Sequence, residues 1–354
     1  SCSLLCSQAK PQASPSFPDA AISHELLQIS FLLLESFVYN MEKSNSFQPS
    51  DSMRTENIMK ITQIFAEHEV TISFEVFPPK TDDRYATVEK AACEIAALHP
   101  SFMSVTYGAG GGTSKNTASI AADIQDKFHT PVLAHLTCVS STREHVRNMV
   151  SIYKEKGIEN IMALRGDIPK EGRSIFEYNH ACELIHDIKS IDDSFCIGGA
   201  CYPEGHVECE SPSADIRYLK EKVDAGLDFL TTQMFFDNNM LYNFLYRIRE
   251  AGIDVPVLPG IMPITNRKQV ARSVALSGST VPQRFRMMVD RFGDDPAKMK
   301  QAGVIYATEQ IIDLIANGVN HVHVYSMNKP DIAAGIMQSL DAIWDHSFTQ
   351  KNKF

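Results

Sequence analysis

From residue 70 onward, the chain alternates short β-rich runs with stretches that are each long enough for one helix. This alternation is typical of parallel βαβ units, because parallel strands need a long crossover that is usually helical. The predicted strands are 71–77, 102–107, 131–137, 160–165, 195–202, 228–235, 255–261 and 321–326. Eight such units close into a (β/α)8 TIM barrel, an α/β fold that we predict as one catalytic domain over residues 53–346. The long interval 277–319 leaves room for extra helices before the last strand.

The two ends of the chain differ from this pattern. Residues 1–52 are rich in Ser, Pro and Gln, and their apolar run 29–41 lacks the basic flank of a signal peptide. The run is also too short to span a bilayer, and it contains Glu35. We predict that residues 1–52 are an N-terminal extension that is disordered or foreign to the natural chain, and that 347–354 form a C-terminal tail.

Charge and cysteine usage restrict the partners. A formal net charge of -10 argues against general binding to nucleic acid or to an anionic membrane, since both need clustered Lys and Arg. The eight cysteines include no CxxC pair, so we predict reduced thiols and a cytoplasmic location. Cys201, His206 and Cys209 lack a fourth ligand at a common zinc spacing, and no metal is predicted. The expected ligands are therefore small molecules.

Unusual polar residues fall where the predicted strands end, which is the face that carries catalytic groups in TIM barrels. They are Glu75, Thr106, Tyr107, His135, Arg165, Asp167, Tyr202, His206, Gln233, Tyr325 and Asn328. An open doubly wound sheet would need a glycine-rich fingerprint after its first strand, yet that strand end, SFEVFPPK, contains no glycine. The polar residues are therefore predicted to converge at the mouth of a barrel.

Glu75 is the most unusual of these residues, because it lies between Phe74 and Phe77 at the end of an apolar strand. Desolvation there should raise its pKa toward neutrality, which would suit an acid that donates a proton. The alternative is a core carboxyl that is satisfied by hydrogen bonds.

Other motifs leave alternatives open on the residues alone. The glycines of 104–117 either let backbone approach a planar ligand or form a flexible loop, and Arg165 with Asp167 forms either a salt bridge or a mouth for a flat heterocycle. Ser211 followed by Pro212 predicts the start of a helix. On that helix Asp215, Tyr218 and Lys222 share one stripe, which is either a binding face or solvated surface. Gln233 is either a ligand contact or a satisfied core amide.

Taken together, the chain resembles the methylenetetrahydrofolate reductase family over about residues 57–345. The resemblance rests on the ordered motifs FEVFPPK, SVTYGAGG, HLTCVSS, ALRGD, YPEGH, DIRYLKEKVDAG, TTQMFFD, LPGIMPI and HVYSMNK. It implies a cytoplasmic oxidoreductase of one-carbon metabolism and methionine biosynthesis. Such an enzyme uses FAD to pass a hydride from NADH or NADPH to 5,10-methylenetetrahydrofolate in a ping-pong reaction. It also implies a homo-oligomer.

The resemblance also implies roles for individual residues. Glu75 and Asp167 would be catalytic. The residues implied for FAD are Thr106, Tyr107, Ala109, His135, Arg165, Gly166, Asp167, Ala181, Tyr202, His206, Asp215, Tyr218 and Lys222. The residues implied for the folate substrate are Glu75, Asp167, Gln233, Gln269 and Lys329, and Gln233 would also meet the nicotinamide.

The chain departs from the family pattern at a few of these positions. Lys329 stands where an arginine commonly meets the folate tail, which keeps the charge but loses the two-pronged fork. Ser273 lies near a position where some relatives place an aromatic over the folate, and Tyr218 and Glu221 replace polar or basic residues. Two alternatives remain, namely a flavin reductase subunit fed by a protein donor and a folate- or flavin-binding module without turnover.

Overall fold

The computed structural model describes residues 59–79, 82–107, 114–168 and 172–344. The predicted extension 1–52, the predicted tail 347–354 and the proposed cofactor contact Ala109 lie outside these residues. The domain boundaries at 53 and 346 therefore remain predictions from the sequence.

The described residues form one sheet in which every pairing is parallel. Its strands are β1 (Thr71–Val76), β2 (Phe102–Val105), β3 (Val132–Thr137), β4 (Asn160–Leu164), β5 (Cys196–Cys201), β6 (Phe229–Thr232), β7 (Val257–Leu258), β8 (Gly260–Ile261) and β9 (His321–Val324). The spatial order is β7-β6-β5-β4-β3-β2-β1-β9-β8, so that consecutive strands are neighbours almost throughout. This order is that of a (β/α)8 barrel, which confirms the predicted fold.

The seventh predicted strand, 255–261, is interrupted in the structure. Strand β7 pairs with β6, whereas β8 pairs with β9, and only Pro259 separates the two. Proline has no N–H to donate to a ladder, so the strand breaks at this residue. The Pro259 carbonyl still accepts the backbone N–H of His323 at 2.9 Å. The barrel therefore closes through Pro259, with two short strands where the sequence predicts one.

Helices surround the barrel, and most of them connect one strand to the next. They are α1 (Ile61–Glu67), α2 (Tyr85–Ala96), α3 (Ser114–Phe128), α4 (Arg143–Glu155), α5 (Ala181–Ile191), α6 (Pro212–Asp224), α7 (Asn238–Glu250), α8 (Arg267–Ser277), α9 (Gln283–Phe292), α10 (Pro296–Ala316) and α11 (Pro330–Ser339). Helix α6 begins as predicted, with the Ser211 hydroxyl accepting the Ala214 N–H at 3.2 Å. Helices α9 and α10 are the predicted extra helices before the last strand.

Helix α1 closes the end of the barrel where the strands begin. Its Ile61 and Ile64 side chains pack against interior side chains such as Phe102, Leu133 and Phe229. The backbone N–H of Ile61 also donates to the Asn160 side chain at 2.8 Å. Because this end is filled with apolar side chains, the opposite end is the one available for a ligand.

A polar layer lies between this apolar plug and the barrel mouth. The Nδ1 and Nε2 atoms of His323 lie 2.8 Å from the Ser73 hydroxyl and 3.0 Å from the Ser104 hydroxyl. The Ser73 hydroxyl donates to the Val322 carbonyl, so it accepts from Nδ1 and His323 carries its proton there. Burial, helped by nearby His135, lowers the pKa of His323 to about 3, and the ring is therefore neutral.

Candidate active site

Glu75 reaches the barrel mouth from β1, and its carboxyl faces His135 on β3. The Oε2 atom of Glu75 lies 3.9 Å from Nε2 of His135, and the two side chains are only 18% and 9% exposed. Burial raises the pKa of Glu75 to about 8 and lowers the pKa of His135 to about 3. Around neutral pH, Glu75 is therefore mostly protonated beside a neutral imidazole, and the two do not form an ion pair.

The structure corrects the predicted source of this desolvation. Phe74 is fully buried, but it belongs to the core that faces the helices, because successive side chains of a strand point to opposite faces. Glu75 is instead buried by the barrel interior, where Tyr325, the residue after β9, is a neighbour. Burial, and then the Glu75 carboxyl, raise the pKa of Tyr325 well above its usual value. The acid is thus desolvated by residues distant in sequence.

Tyr325 links the last strand to β6. Its hydroxyl donates to the Thr232 carbonyl at 2.7 Å. This approach needs glycine at position 260, because a Cβ there would lie 2.4 Å from the Thr232 carbonyl oxygen and 2.5 Å from the Tyr325 ring. His321 and His323 on β9 and Tyr325 just after it recur at every second residue, a period-two signal in HVHVY that was readable in the sequence.

The segment after β4 holds Arg165, Gly166 and Asp167. Arg165 does form a salt bridge, but with Glu208 at 2.7 Å and not with Asp167. Gly166 has φ +85°, and a Cβ there would lie 2.9 Å from Val139 Cγ1. Asp167 is exposed. Burial is the main cause that raises the pKa of Tyr202, and the Asp215 carboxyl is the next. The Asp167 carboxyl makes a smaller contribution in the same direction, so its charge acts on the Tyr202 ring.

Asp215 and Lys222 line the inner side of α6, next to the end of β5. The Lys222 ammonium is buried and donates to the Ala200 carbonyl at 2.5 Å, and the Asp215 carboxyl accepts the His206 N–H at 3.3 Å. Burial lowers the pKa of Lys222 and raises the pKa of Asp215, although each charge partly offsets the other's shift. The interpretation of this pair as solvated surface is therefore wrong.

Tyr218 is more exposed than Asp215 and Lys222, the other two residues of the predicted stripe. Its side chain is 46% exposed. The Arg217 guanidinium lies 5.3 Å from its ring centroid, and the His180 ring, just before Ala181 at the start of α5, is nearly parallel at 6.4 Å. The Tyr202 ring meets His206 edge-on at 4.5 Å on the inner side of the same region. Tyr218 therefore lies at the edge of the site.

Thr106 and Tyr107 follow the end of β2. The Tyr107 ring is buried in the core facing the helices, and its hydroxyl lies 2.8 Å from His145 Nε2. Its side chain therefore does not line the mouth. The Thr106 carbonyl accepts the Thr117 hydroxyl at 2.9 Å, which joins the strand end to α3.

Gln269 and Lys329 are brought together by Thr265, a residue that sequence reasoning missed. The Lys329 ammonium donates to the Thr265 hydroxyl at 2.8 Å, and this hydroxyl donates to the Gln269 amide oxygen at 3.2 Å. Gln269 also completes a capping box with Asn266 at the start of α8. Gln233 lies after β6, and its side-chain amide oxygen accepts the backbone N–H of Met234 at 3.0 Å.

Several buried polar atoms at this end of the barrel have no hydrogen-bond partner within the described ranges. They are Thr137 Oγ1, Ser140 Oγ, Glu204 Oε1 and Thr231 Oγ1. Such atoms are costly to bury without a partner. Together with the Lys222 ammonium, they fit a large polar ligand. The residues implied for FAD therefore suit that group.

The described residues contain no helix that could span a bilayer and no cluster of side chains able to hold a metal ion.

The sequence profile described as methylenetetrahydrofolate reductase matches residues 60–341. A protein of Pectobacterium carotovorum named 5,10-methylenetetrahydrofolate reductase is 37% identical over 271 residues, which cover 77% of this chain and 90% of that protein. An Arabidopsis thaliana protein named methylenetetrahydrofolate reductase (NADH) 1 is 33% identical, covering 80% of this chain and 50% of that protein.

Among solved structures, a Clostridium thermocellum protein superposes with a TM-score of 0.55 over 80% of this chain and 99% of its own. Its printed description says that it binds two copies of 5-methyl-5,6,7,8-tetrahydrofolic acid. The sequence identity is 14%, so this likeness supports the fold alone.

Proposed function

Because the chain belongs to the methylenetetrahydrofolate reductase family, we propose that it reduces 5,10-methylenetetrahydrofolate to 5-methyltetrahydrofolate with FAD and a reduced nicotinamide. When bound, FAD would supply hydride transfer from the nicotinamide to the folate, and the two substrates would use one site in turn. The plant relative named for NADH favours NADH as the donor. The single observation that carries the proposal is the Glu75 carboxyl, which is largely buried at the barrel mouth beside His135.

Glu75 supplies the proton that the folate needs before it can accept a hydride. Opening the five-membered ring of the substrate makes N10 a leaving group, and that nitrogen requires a proton. An ordinary glutamate, with a pKa of about 4.3, would be ionised near neutral pH and unable to donate. Burial raises the pKa of Glu75 to about 8, so its carboxyl holds a proton at working pH. Its neighbour His135 is neutral and therefore does not draw the proton away.

Asp167 has the complementary task. Ring opening leaves positive charge on the folate, and a fixed carboxylate beside it stabilises the charge as it develops. Its exposure and the effect of its charge on Tyr202 support a position at the rim of the mouth. Gln233, Gln269 and Lys329 would orient the folate, with Lys329 acting on its anionic tail.

The residues proposed to bind the cofactor lie on both sides of β5 in the barrel. Lys222 would donate to a phosphate, because its buried ammonium hydrogen-bonds only one carbonyl among the described contacts and carries three N–H groups. The unpartnered hydroxyls of Thr137 and Ser140, on the β3 side, would gain partners from the polar part of FAD. Glycine at position 166 lets the segment after β4 pack against Val139 and Thr137, so that this backbone lies beside the proposed cofactor-binding hydroxyls.

Anaerobic mixing of the purified protein with NADH tests the proposal. We expect the protein to release FAD on denaturation, to lose its flavin colour with NADH, and to regain it with methylenetetrahydrofolate while 5-methyltetrahydrofolate forms. A protein that neither contains nor takes up FAD would contradict the assignment. A flavin that stays oxidised with NADH and NADPH, but loses its colour with a chemical reductant, would mean that another electron donor is used.

A further inference from the structure

Asn328 forms a two-bond pair with the backbone of Phe77, which is 251 positions away in the sequence. The backbone N–H of Phe77 donates to Asn328 Oδ1 at 3.0 Å, and Asn328 Nδ2 donates to the Phe77 carbonyl at 2.9 Å. The side-chain amide therefore contacts Phe77 as a neighbouring strand would. One residue pair joins the segment after β9 to the chain two residues beyond Glu75.

This pair lies just beyond the point where β1 stops pairing with its neighbouring strands. Strand β1 ends at Val76, whose carbonyl accepts the Thr106 N–H at 2.9 Å. The next residues after Phe77 are Pro78 and Pro79, which have no N–H to donate. The amide of Asn328 therefore supplies the partners that Phe77 would otherwise lack. A further contact, from the Ser326 hydroxyl to the Glu75 carbonyl at 3.3 Å, joins the same two segments.

The backbone that presents Asn328 is strained. Met327 and Asn328 have φ of 58° and 54°, in the left-handed region that is unfavourable for a residue such as methionine. Contacts on both sides hold this turn, namely the Tyr325 hydroxyl on Thr232 and the Lys329 ammonium on Thr265. Strain of this kind persists where the surrounding structure demands it, and it is found mainly at functional sites.

The position of the Glu75 carboxyl depends on its backbone. Its nearest ionisable neighbour, His135, is 3.9 Å away, which is longer than a hydrogen bond. We propose that Asn328 is a positioning residue for Glu75, because its amide pair with Phe77 fixes the end of β1 and so holds the acid against the substrate. This inference rests on the proposed function in so far as Glu75 is the proton donor.

The proton on Glu75 also depends on how firmly the end of β1 is held. The titratable groups around the acid are His135 on β3 and Tyr325 just after β9, with His323 beside His135 and with Cys201 and Tyr202 near Tyr325. All five are neutral near pH 7, so burial is the main factor that keeps Glu75 protonated. If the end of β1 loosens, water enters and the pKa of Glu75 should fall toward its ordinary value.

The test compares Asn328→Gly and Asn328→Asp with the wild-type enzyme. Glycine keeps the left-handed backbone but removes the amide, whereas aspartate keeps the acceptor and loses the donor. In both variants we expect the folate half-reaction to slow by roughly ten- to a hundredfold, as for a misplaced catalytic group. The NADH half-reaction should stay within about twofold, since it needs no acid. The rate of the folate step should also begin to decline at a lower pH than in the wild-type enzyme, because Glu75 would lose its proton at a lower pH.

Asn317→Gly is the matched control. Asn317 follows α10 at the opposite end of the barrel, where its side chain donates to the Asp313 carbonyl at 2.8 Å. This variant also loses an asparagine hydrogen bond near β9, and we expect both of its half-reactions to match the wild type. Equal losses in both half-reactions of the Asn328 variants, with an unchanged pH dependence, would indicate a merely structural role and overturn the inference.

A second readout does not depend on turnover. The infrared carbonyl band of the protonated Glu75 carboxyl, identified by its absence in Glu75→Gln, should disappear at a lower pH in the Asn328 variants than in wild type. An unchanged titration would overturn the inference even if the activity fell. Absence of the folate reaction in the wild-type enzyme would instead contradict the proposed function, so the two failures are distinguishable.

Discussion

The carboxyl of Glu75 lies 3.9 Å from the imidazole of His135, and neither group is charged around neutral pH. Two such residues at close range usually suggest an ion pair, but burial raises the pKa of the acid and lowers the pKa of the base. It disfavours the charged form of each, so the acid keeps its proton and the base remains without one. The mouth of this barrel therefore holds a protonated carboxyl, which is the state that the proposed proton donor needs.

Glu75→Gln should abolish the folate half-reaction almost completely while leaving FAD bound and still reducible by NADH. Glutamine has a similar shape but no proton to give to N10, whereas hydride transfer from the nicotinamide needs no acid. Stopped-flow measurement of each half-reaction is the check. If both are impaired equally, Glu75 is a structural core acid and not the donor.

The pH dependence of stability should show the neutral acid directly. The pKa of Glu75 is raised from 4.5 to about 8, so the folded state binds the extra proton and stability falls as pH rises through that interval. The pKa values of His135 and His323 are lowered from 6.5 to about 3, so their contribution is lost as pH falls below 6.5. With both effects, stability should be greatest near pH 6.5 and decline toward pH 8.

Urea unfolding of the wild-type protein and of Glu75→Gln at several pH values measures this. Glutamine cannot ionise, so the variant should lose the decline between pH 6.5 and 8 while it keeps the decline at acid pH. A wild-type protein whose stability rises from pH 6.5 to 8 would mean that Glu75 is ionised in the folded state.

Asp167→Asn should slow the folate half-reaction by roughly a hundredfold, in line with the loss of other groups that stabilise developing charge. The side chain is exposed, so the substitution should leave the unfolding free energy nearly unchanged. Single-turnover rates with methylenetetrahydrofolate, compared with thermal unfolding, separate these effects. An unchanged folate rate would remove the electrostatic role.

Lys222→Met should weaken FAD binding by roughly ten- to a hundredfold, because a hydrogen bond between charged groups is lost. Burial lowers the pKa of Lys222, which shows that its charge is costly in the folded protein, so the stability of the flavin-free protein should not fall. Fluorescence titration with FAD and urea unfolding measure the two quantities. Lys220→Met, on the same helix but paired with Asp224 at the surface, is the matched control and should bind FAD normally.

Gly166→Ala should destabilise the protein and reduce its FAD content. A Cβ at this position meets Val139 at 2.9 Å and Thr137 at 3.0 Å, and φ is +85°. Gly252→Ala separates the two causes, because Gly252 has φ +71° but nothing within 4 Å of an added Cβ. The control should cost roughly 1–2 kcal/mol for the left-handed backbone, and Gly166→Ala roughly 1–3 kcal/mol more for the clash. Equal costs would show that Gly166 is needed only for its φ.

Much of the fold was predictable because its signals are local. The apolar runs, the helical stretches between them and the Ser211-Pro212 helix start each depend on a few neighbouring residues, and the structure confirms them. Eight such units determine a barrel and the face on which its strand ends meet. The polar residues predicted at those ends followed from the same rule, and so did the prediction that Glu75 would be a desolvated acid.

What the sequence could not determine depends on residues that meet only after the barrel closes. The interruption at Pro259 follows from which neighbours β7 and β8 find, the partner of Arg165 is Glu208 and not Asp167, and Tyr107 points away from the mouth. The sequence alone therefore determined that an acid would stand at the end of β1. The tertiary structure decided what desolvates it and what holds it, because His135, Tyr325 and the amide of Asn328 come from segments far along the chain.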